Sequence, residues 1–210
     1  MSTRRIRRNF NKGTKKHYIN KLKKLYPRCK FDKEIEDYDL YKGVNITYGE
    51  MEYEGIQKLY SFVTKNYNPK INCFIDLGSG RGKLCMYMAS QSKILSVLGV
   101  ELVKQRNDDA EILKSELKFE YADKVTLLNK NIFDIDFEDY KNKQIFIWFS
   151  NLCFDQPGID EVFQKLKNNL PSGTIVCCSK KPLDNFGEYL NIFQVPMSWN
   201  KDSNVYIYRL

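Results

Sequence analysis

The stretch that decides the fold of this chain is Phe74-Ile75-Asp76-Leu77-Gly78-Ser79-Gly80-Arg81-Gly82. It ends a short apolar run, typical of a buried strand, and it precedes a segment with the pattern of a helix. Glycines at such a junction permit a backbone with positive φ and let a ligand approach the main chain closely. The spacing G-x-G-x-G differs from the dinucleotide fingerprint G-x-G-x-x-G, and the phosphate-loop pattern G-x-x-x-x-G-K-[ST] is absent.

A second acidic residue follows this glycine loop at a spacing that is informative. Glu101 lies 19 residues beyond Gly82, at the end of the next predicted strand. A carboxylate at that position of a βαβ unit can accept hydrogen bonds from both hydroxyls of a ribose. The order strand, acid, glycine loop, helix, strand, acid therefore indicates a ligand that contains a ribose.

The chain on either side of the loop predicts an α/β fold, because apolar runs alternate with helical patterns. Strands are predicted at 72–77, 94–100, 125–128, 145–149 and 174–178, and two more near 189–195 and 205–208. Helices are predicted around 56–63, 83–90, 104–121 and 159–170. Such βαβ units build a mostly parallel sheet with helices on both faces. The last two strands lack a normal crossover helix and predict an antiparallel hairpin at the sheet edge.

Charge is distributed very unevenly along the sequence. Residues 1–30 hold twelve of the 34 basic residues and no acid, which leaves 22 basic and 26 acidic residues in the other 180. We therefore predict a flexible basic arm at 1–30 and one folded domain at 31–210. Twelve cations without an acid favour polyanion binding over a mere solubilising tail, and a nuclear import signal fits the arm as well. The predicted nucleic-acid contacts are Arg4, Arg5, Arg7, Arg8, Lys12, Lys15, Lys16, Lys21, Lys23 and Lys24.

Composition excludes several other classes of protein. A hydrophobic content of 42% argues against disorder, and no apolar run reaches the roughly 18 residues of a membrane span. The charged N-terminus lacks the apolar stretch of a secretory signal. Six cysteines without a C-x-x-C pair and a single histidine, His17, predict no metal site, no disulfide framework and no triad with a histidine base.

Three further segments surround the loop in a specific order. They are Thr47-Tyr48-Gly49-Glu50, Ser150-Asn151-Leu152-Cys153-Phe154-Asp155, and the pair Trp199 and Tyr206. The glycine loop with its two acids resembles that of the class I S-adenosylmethionine (SAM)-dependent methyltransferases, which have a Rossmann-like fold. With the three segments added, the chain from about 48 to 206 resembles the Dot-one (disruptor of telomeric silencing) family, the histone-lysine methyltransferases that lack a SET domain.

The resemblance implies SAM as the cofactor and, as the substrate, a lysine of a core histone of the H-three type on the nucleosome. A chromatin substrate implies a nuclear location, or a host nucleus or cytoplasm if the source is viral. The cofactor-binding residues it implies are Tyr48, Glu50, Asp76, Gly78, Ser79, Gly80, Lys83, Glu101, Phe133 and Asn151. The residues it implies for the channel of the target lysine are Asn151, Phe154, Trp199 and Tyr206.

The sequence departs from the family pattern at several of these positions. Ile132 stands where the family has an acid that binds the adenine amino group, so that Asn131 and Asp134 become candidates for that contact. Lys83 stands where the family has Gln, and Ser150 replaces the first Asn of its motif. The charged helix pattern at 104–121 also predicts that Lys104 and Arg106 lie on a solvated face.

Two alternatives stay open on the sequence alone. A nucleic-acid methyltransferase fits the basic arm, although the segment Asn/Asp-Pro-Pro-Tyr/Phe is absent after the fourth strand and a Pro-Cys pair is absent throughout. A non-catalytic module that binds nucleosomes or RNA is favoured by Ile132 and Ser150, whereas the intact loop and its two acids oppose it. The oligomeric state is left open by the sequence.

Overall fold

The computed structural model describes residues 12–26, 35, 38–117 and 121–210. Its helices are α1 (Lys12–Leu25), α2 (Tyr53–Asn66), α3 (Lys83–Ala89), α4 (Lys104–Leu117) and α5 (Gln156–Asn169). Its strands are β1 (Cys73–Leu77), β2 (Ser96–Glu101), β3 (Val125–Asn129), β4 (Ile145–Phe149), β5 (Ile175–Cys178), β6 (Glu188–Val195) and β7 (Ser203–Arg209). In the described part of the chain, no helix is long and apolar enough to cross a membrane.

All seven strands form one sheet in the order β3-β2-β1-β4-β5-β7-β6. The first five of these are parallel, and β7 runs antiparallel to both β5 and β6. The predicted mostly parallel sheet with an antiparallel edge hairpin is therefore confirmed. The chain order reverses between β1 and β4, which is where ligands bind in open α/β sheets, beyond the carboxyl ends of the strands.

The two faces of the sheet are covered by separate apolar cores, as predicted for helices on both faces. Alternation along β1 shows the division, because Phe74 packs into one core while Ile75 and Leu77 pack into the other. The first core receives the apolar sides of α1 to α4, and the second receives α5. Strands β1 and β4 are buried on both faces along their whole length, which explains why they read as continuous apolar runs.

Helix α1 was not predicted, because its charge concealed an apolar stripe. Tyr18, Leu22 and Tyr26 recur at every fourth position and are all buried against the body of the protein. The Tyr18 hydroxyl donates a hydrogen bond of 3.0 Å to the Met86 carbonyl in α3, and its ring meets that of Tyr121 edge-on. This part of the predicted flexible arm is therefore a docked helix.

The rest of the arm lies largely outside the described residues, including Arg4, Arg5, Arg7 and Arg8. Of the cations predicted to contact nucleic acid, Lys16, Lys23 and Lys24 are exposed on α1. The boundary at residue 30 between arm and domain stays a prediction.

Docking of α1 predicts that its apolar stripe contributes to the stability of the whole domain. Leu22→Ala should lower the free energy of unfolding by about 2–5 kcal/mol, because it removes a fully buried side chain and leaves a cavity. Asn20→Ala, on the exposed side of the same helix, is the matched control and should change it by less than about 0.5 kcal/mol. Urea denaturation followed by circular dichroism measures both. Equal midpoints for the two variants would show that α1 does not dock.

Candidate functional site

A cavity of about 620 Å³ opens at the carboxyl ends of the parallel strands. Its floor is the glycine loop after β1, and its sides are the ends of β2 and β4 with the residues that follow them. Residues 43–51, which we call the strap, form another wall. The volume is in the range of small-molecule and cofactor sites, and the position is where the fold predicts a ligand.

Positive φ values confirm the need for glycine in the loop. Gly78, Gly80 and Gly82 have φ of 86°, 53° and 76°. A side chain on Gly80 would also collide with the ring of Tyr48, and one on Gly78 would come within 3.1 Å of Ser150 Cβ. The loop therefore requires glycine both for its backbone conformation and for the close approach of neighbouring side chains.

The carboxylate of Glu101 is held by main-chain donors on two sides. Its Oε2 accepts a 2.8 Å hydrogen bond from the Gly80 amide, and its Oε1 accepts one of 2.9 Å from the Val103 amide. The side chain is buried at the edge of the cavity. Each carboxylate oxygen has a second lone pair, so that Glu101 can still accept hydrogen bonds from a ligand.

Asp76 and Ser79 place buried polar atoms without a protein partner at the cavity. Asp76 Oδ1 and Ser79 Oγ make no hydrogen bond in the structure, while the Cys85 thiol donates to Asp76 Oδ2 at 3.5 Å. Burial raises the pKa of Asp76 well above its ordinary value, and the nearby carboxylates of Glu101 and Glu50 raise it further. An unsatisfied buried carboxyl is costly, and a cationic donor would relieve that cost.

Tyr48, Glu50 and Lys83 form a connected polar group between the strap and α3. The Tyr48 hydroxyl donates to Glu50 Oε1, and Lys83 Nζ lies 3.0 Å from Glu50 Oε2. The Lys83 ammonium also lies 4.9 Å from the centre of the Tyr53 ring. All three predicted residues line the cavity. The lysine that replaces the family's Gln is thus neutralised by a predicted cofactor residue.

Another part of the cavity wall is apolar. Phe133 and Phe154 line it and contact each other edge-on, with ring centres 6.3 Å apart, and Ile132 lines it as well. Asn131 also lines the cavity, but its Oδ1 accepts a hydrogen bond from the Phe133 amide, whereas Asp134 is not among the lining residues. Of the two candidates for the missing acid, only Asn131 reaches the cavity.

The four predicted channel residues divide into two pairs. Phe154 and Trp199 line the cavity, and the Trp199 ring packs directly on Gly49 of the strap. Asn151 and Tyr206 are not among the lining residues. The Asn151 side chain instead binds the main chain of Ser179 and Lys180 through three hydrogen bonds of 2.8–2.9 Å. That geometry describes a brace between β4 and β5, and the channel roles of Asn151 and Tyr206 stay predictions.

Arg106 is a residue of the site that sequence reasoning placed wrongly. It was predicted on a solvated helix face, yet it is 6% exposed, lines the cavity, and donates a 2.6 Å hydrogen bond to the Ile46 carbonyl of the strap. Its neighbour Lys104 is exposed, as predicted. Helix periodicity predicts which side of α4 faces the sheet. It cannot predict that the strap, a segment distant in sequence, covers Arg106.

A model of the histone methylation protein DOT1 family matches residues 29–186, about three quarters of the chain. The chain belongs to the DOT1 family. Its place there confirms the resemblance read from the sequence motifs and makes the protein a SAM-dependent methyltransferase.

Solved structures agree with this fold. An RNA methyltransferase from Salinibacter ruber in complex with S-adenosyl-L-homocysteine superimposes with a TM-score of 0.56, at 14% identity over 75% of this chain and 91% of that one. A putative methylase from Haemophilus influenzae gives a TM-score of 0.53, at 16% identity over 73% of this chain and 86% of that one. A putative methyltransferase from Escherichia coli gives 0.56, at 10% identity over 75% and 86%. A search of curated proteins found no match.

The residues of the cavity fit SAM, the cofactor of the DOT1 family. Asp76 Oδ1, which has no donor in the structure, suits the ammonium of the methionine part, and the Glu101 carboxylate suits the hydroxyls of the ribose. The apolar wall that Phe133 and Phe154 form suits contact with a flat ring such as adenine. Among the described residues, no group of three or more His, Cys, Asp or Glu side chains is placed to hold a metal ion.

The steric demand at Gly80 predicts a selective loss of cofactor binding. Gly80→Ala should weaken the binding of S-adenosyl-L-homocysteine by about tenfold or more, because the new methyl group displaces Tyr48 and strains the loop. Gly173→Ala is the matched control, since Gly173 has φ of 89° but nothing within 4 Å of the added carbon. It should cost about 1–2 kcal/mol of stability and leave the affinity unchanged. Isothermal titration calorimetry with denaturation curves separates the two effects.

The raised pKa of Asp76 predicts a pH dependence of cofactor binding. A bound ammonium favours the ionised carboxyl, so that binding at a pH below the raised pKa must release a proton from Asp76. Affinity for S-adenosyl-L-homocysteine should therefore increase as the pH rises toward that pKa, in the range below about 7.7 where the ligand amine stays protonated. Asp76→Asn should bind more weakly and lose this dependence. A flat profile for the unmodified protein would contradict the assignment.

Proposed function

We propose that this protein transfers the methyl group of SAM to the ε-amine of a lysine on a core histone of the H-three type, within the nucleosome. The observation that carries the proposal is the match to the histone methylation protein DOT1 family over residues 29–186. Two of the aromatic residues that line the cavity, Phe154 and Trp199, support a lysine as the acceptor.

SAM supplies an electrophilic methyl group on a sulfonium, and the protein has to position and desolvate the attacking amine. The amine must arrive uncharged. A wall of aromatic rings disfavours the ammonium form of a lysine and lowers its pKa, and the same ring faces attract the methylated cation that leaves. No side-chain base is needed for this, which agrees with the position of the sole histidine, His17, on the exposed side of α1.

The exposed side of α1 is the part of the described chain best suited to hold DNA. Lys16, Lys23 and Lys24 are exposed there, and residues 1–30 contain no acid. Lys15 Nζ binds Gln91 just beyond the end of α3, and the Tyr26 hydroxyl binds the Arg81 carbonyl in the glycine loop, both at 2.8 Å. Helix α1 therefore runs antiparallel to α3, and its basic side has a fixed position relative to the cofactor cavity.

Contacts between this basic side and DNA phosphates would place the enzyme on the nucleosome and would weaken with added salt. A nucleosomal substrate implies a nuclear location, or a host nucleus or cytoplasm if the source is viral, and this location is part of the proposal. The arm residues outside the described part, with five arginines among them, would extend the same positive field.

Methylation of a nucleic acid is the second candidate function, and the exposed basic side of α1, a helix that docks on α3, favours it. The two candidate functions differ only in the group that accepts the methyl, since both use the same cofactor cavity. A non-catalytic module that binds nucleosomes or RNA remains the third outcome that an experiment has to separate.

The identity of the acceptor is tested directly by incubating the protein with labelled SAM and nucleosomes, free histones or RNA, and mapping the label by mass spectrometry. We expect label on a histone lysine, and more on nucleosomes than on free histones. Glu101→Gln, which keeps the shape of the side chain but removes its charge, is the matched inactive control. Label confined to RNA would favour the second candidate, and tight nucleosome binding without label would favour the module.

The proposed DNA contact predicts a change in salt dependence. Lys16 and Lys24 lie two turns apart on the exposed side of α1, and replacing both by Gln should reduce the slope of log affinity against log salt by about 2. Replacing the exposed Lys65 and Lys70 by Gln removes the same charge from another surface and should leave the slope nearly unchanged. Fluorescence anisotropy with nucleosomes measures both variants. Equal slopes in the two would place the DNA contact elsewhere.

A further inference from the structure

We propose that Arg106 is a positioning residue for the cofactor, which fixes the strap over the cavity and orients the Glu101 carboxylate. Its guanidinium joins two parts of the site: the strap, through the Ile46 carbonyl and the Tyr48 ring, and the end of β2, through Glu101. The inference rests on SAM as the cofactor and is independent of the acceptor.

Burial of Arg106 is the first observation. The side chain belongs to α4, a helix with charged residues in most of its exposed positions, and yet it is 6% exposed. A guanidinium is retained away from water only where several acceptors or an aromatic face compensate for its lost hydration. The partners of Arg106 therefore indicate why this side chain is buried.

Those partners surround the guanidinium. Nη2 donates a 2.6 Å hydrogen bond to the Ile46 carbonyl, and Nη1 lies 3.9 Å from Glu101 Oε1. The central Cζ lies 4.8 Å from the centre of the Tyr48 ring, within the range of a cation–π contact. One planar group thus meets a main-chain acceptor, a carboxylate and an aromatic face, which the ammonium of a lysine cannot reproduce.

The strap has little regular structure of its own, so its shape depends on such anchors. At its C-terminal end, Glu50 exchanges hydrogen bonds with Ser198, and the Cys153 thiol, a weak donor, binds the Thr47 carbonyl at 3.3 Å. Arg106 supplies a charge-assisted hydrogen bond to the preceding residue, Ile46.

Loss of the hydrogen bond between Arg106 and Ile46 would alter the residues that are predicted to bind the cofactor. Tyr48 follows Ile46 by two residues, its ring contacts Gly80, and its hydroxyl binds Glu50. The Glu101 carboxylate accepts from the amides of Gly80 and Val103, and Arg106 adds a positive charge beside the same oxygen that Val103 binds. Loss of Arg106 therefore loosens two groups predicted to touch the cofactor, although Arg106 need not touch it.

Three variants test the proposal by calorimetric titration of S-adenosyl-L-homocysteine, without any acceptor. Arg106→Met keeps the apolar stem and should weaken binding by about tenfold to a hundredfold. Arg106→Lys keeps the charge but loses the fork, and it should be intermediate. Lys104→Ala, which removes an exposed cation from the same helix, should bind as the unmodified protein does.

Hydrogen exchange separates positioning from stability. In Arg106→Met without ligand, the amides of residues 44–50 should exchange faster, while those of β1 and β4 keep their protection. Binding by Arg106→Met equal to that of the unmodified protein would overturn the proposal, and so would full recovery in Arg106→Lys. Faster exchange spread evenly over the sheet would also overturn it, because the loss of affinity would then follow from general destabilisation. These outcomes do not depend on whether histone or nucleic acid is the acceptor.

Discussion

The rest of the site depends on the hydrogen bonds that the buried carboxylate of Glu101 accepts. It ends β2, and it accepts hydrogen bonds from the Gly80 amide in the glycine loop and from the Val103 amide before α4. The loop after β1 is thereby tied to the end of the neighbouring strand β2. Within the loop, the Gly80 amide binds this carboxylate, and the amides of Gly78 and Ser79 bind the Val100 carbonyl of the same strand.

Much of this arrangement follows from the sequence, because it depends on local patterns. The apolar runs of β1 and β4 predict buried parallel strands, and the glycine loop with Glu101 predicts the position of the cavity. Two features do not follow. The sequence pattern does not predict helix α1, because lysines dominate its composition while Tyr18 and Leu22 pack into the core. It does not predict the burial of Arg106, because the partners of this side chain come from the strap. Both are tertiary effects, in which a distant segment changes the environment of a residue with an unremarkable local pattern.

The site collects ionisable groups that a purely structural core would avoid. Asp76 is buried with one oxygen unpartnered, Lys83 and Glu50 form a buried pair, and Arg106 is buried beside Glu101. Buried ion pairs contribute little net stability, because desolvation offsets most of their attraction. Their concentration at one end of the sheet therefore indicates selection for binding, while the two apolar cores on its faces supply the stability that offsets their cost.

The cavity and the outer side of α1 differ in the sign of their net charge. Four carboxyl groups, those of Glu50, Asp76, Glu101 and Asp155, line the cavity beside two cations, Lys83 and Arg106, whereas the exposed side of α1 presents lysines. A phosphate is attracted to the helix and repelled from the acids of the cavity, and a cationic side chain meets the opposite field. This distribution of charge supports the proposed acceptor, a lysine that is positively charged on approach, on a protein that is wrapped in DNA.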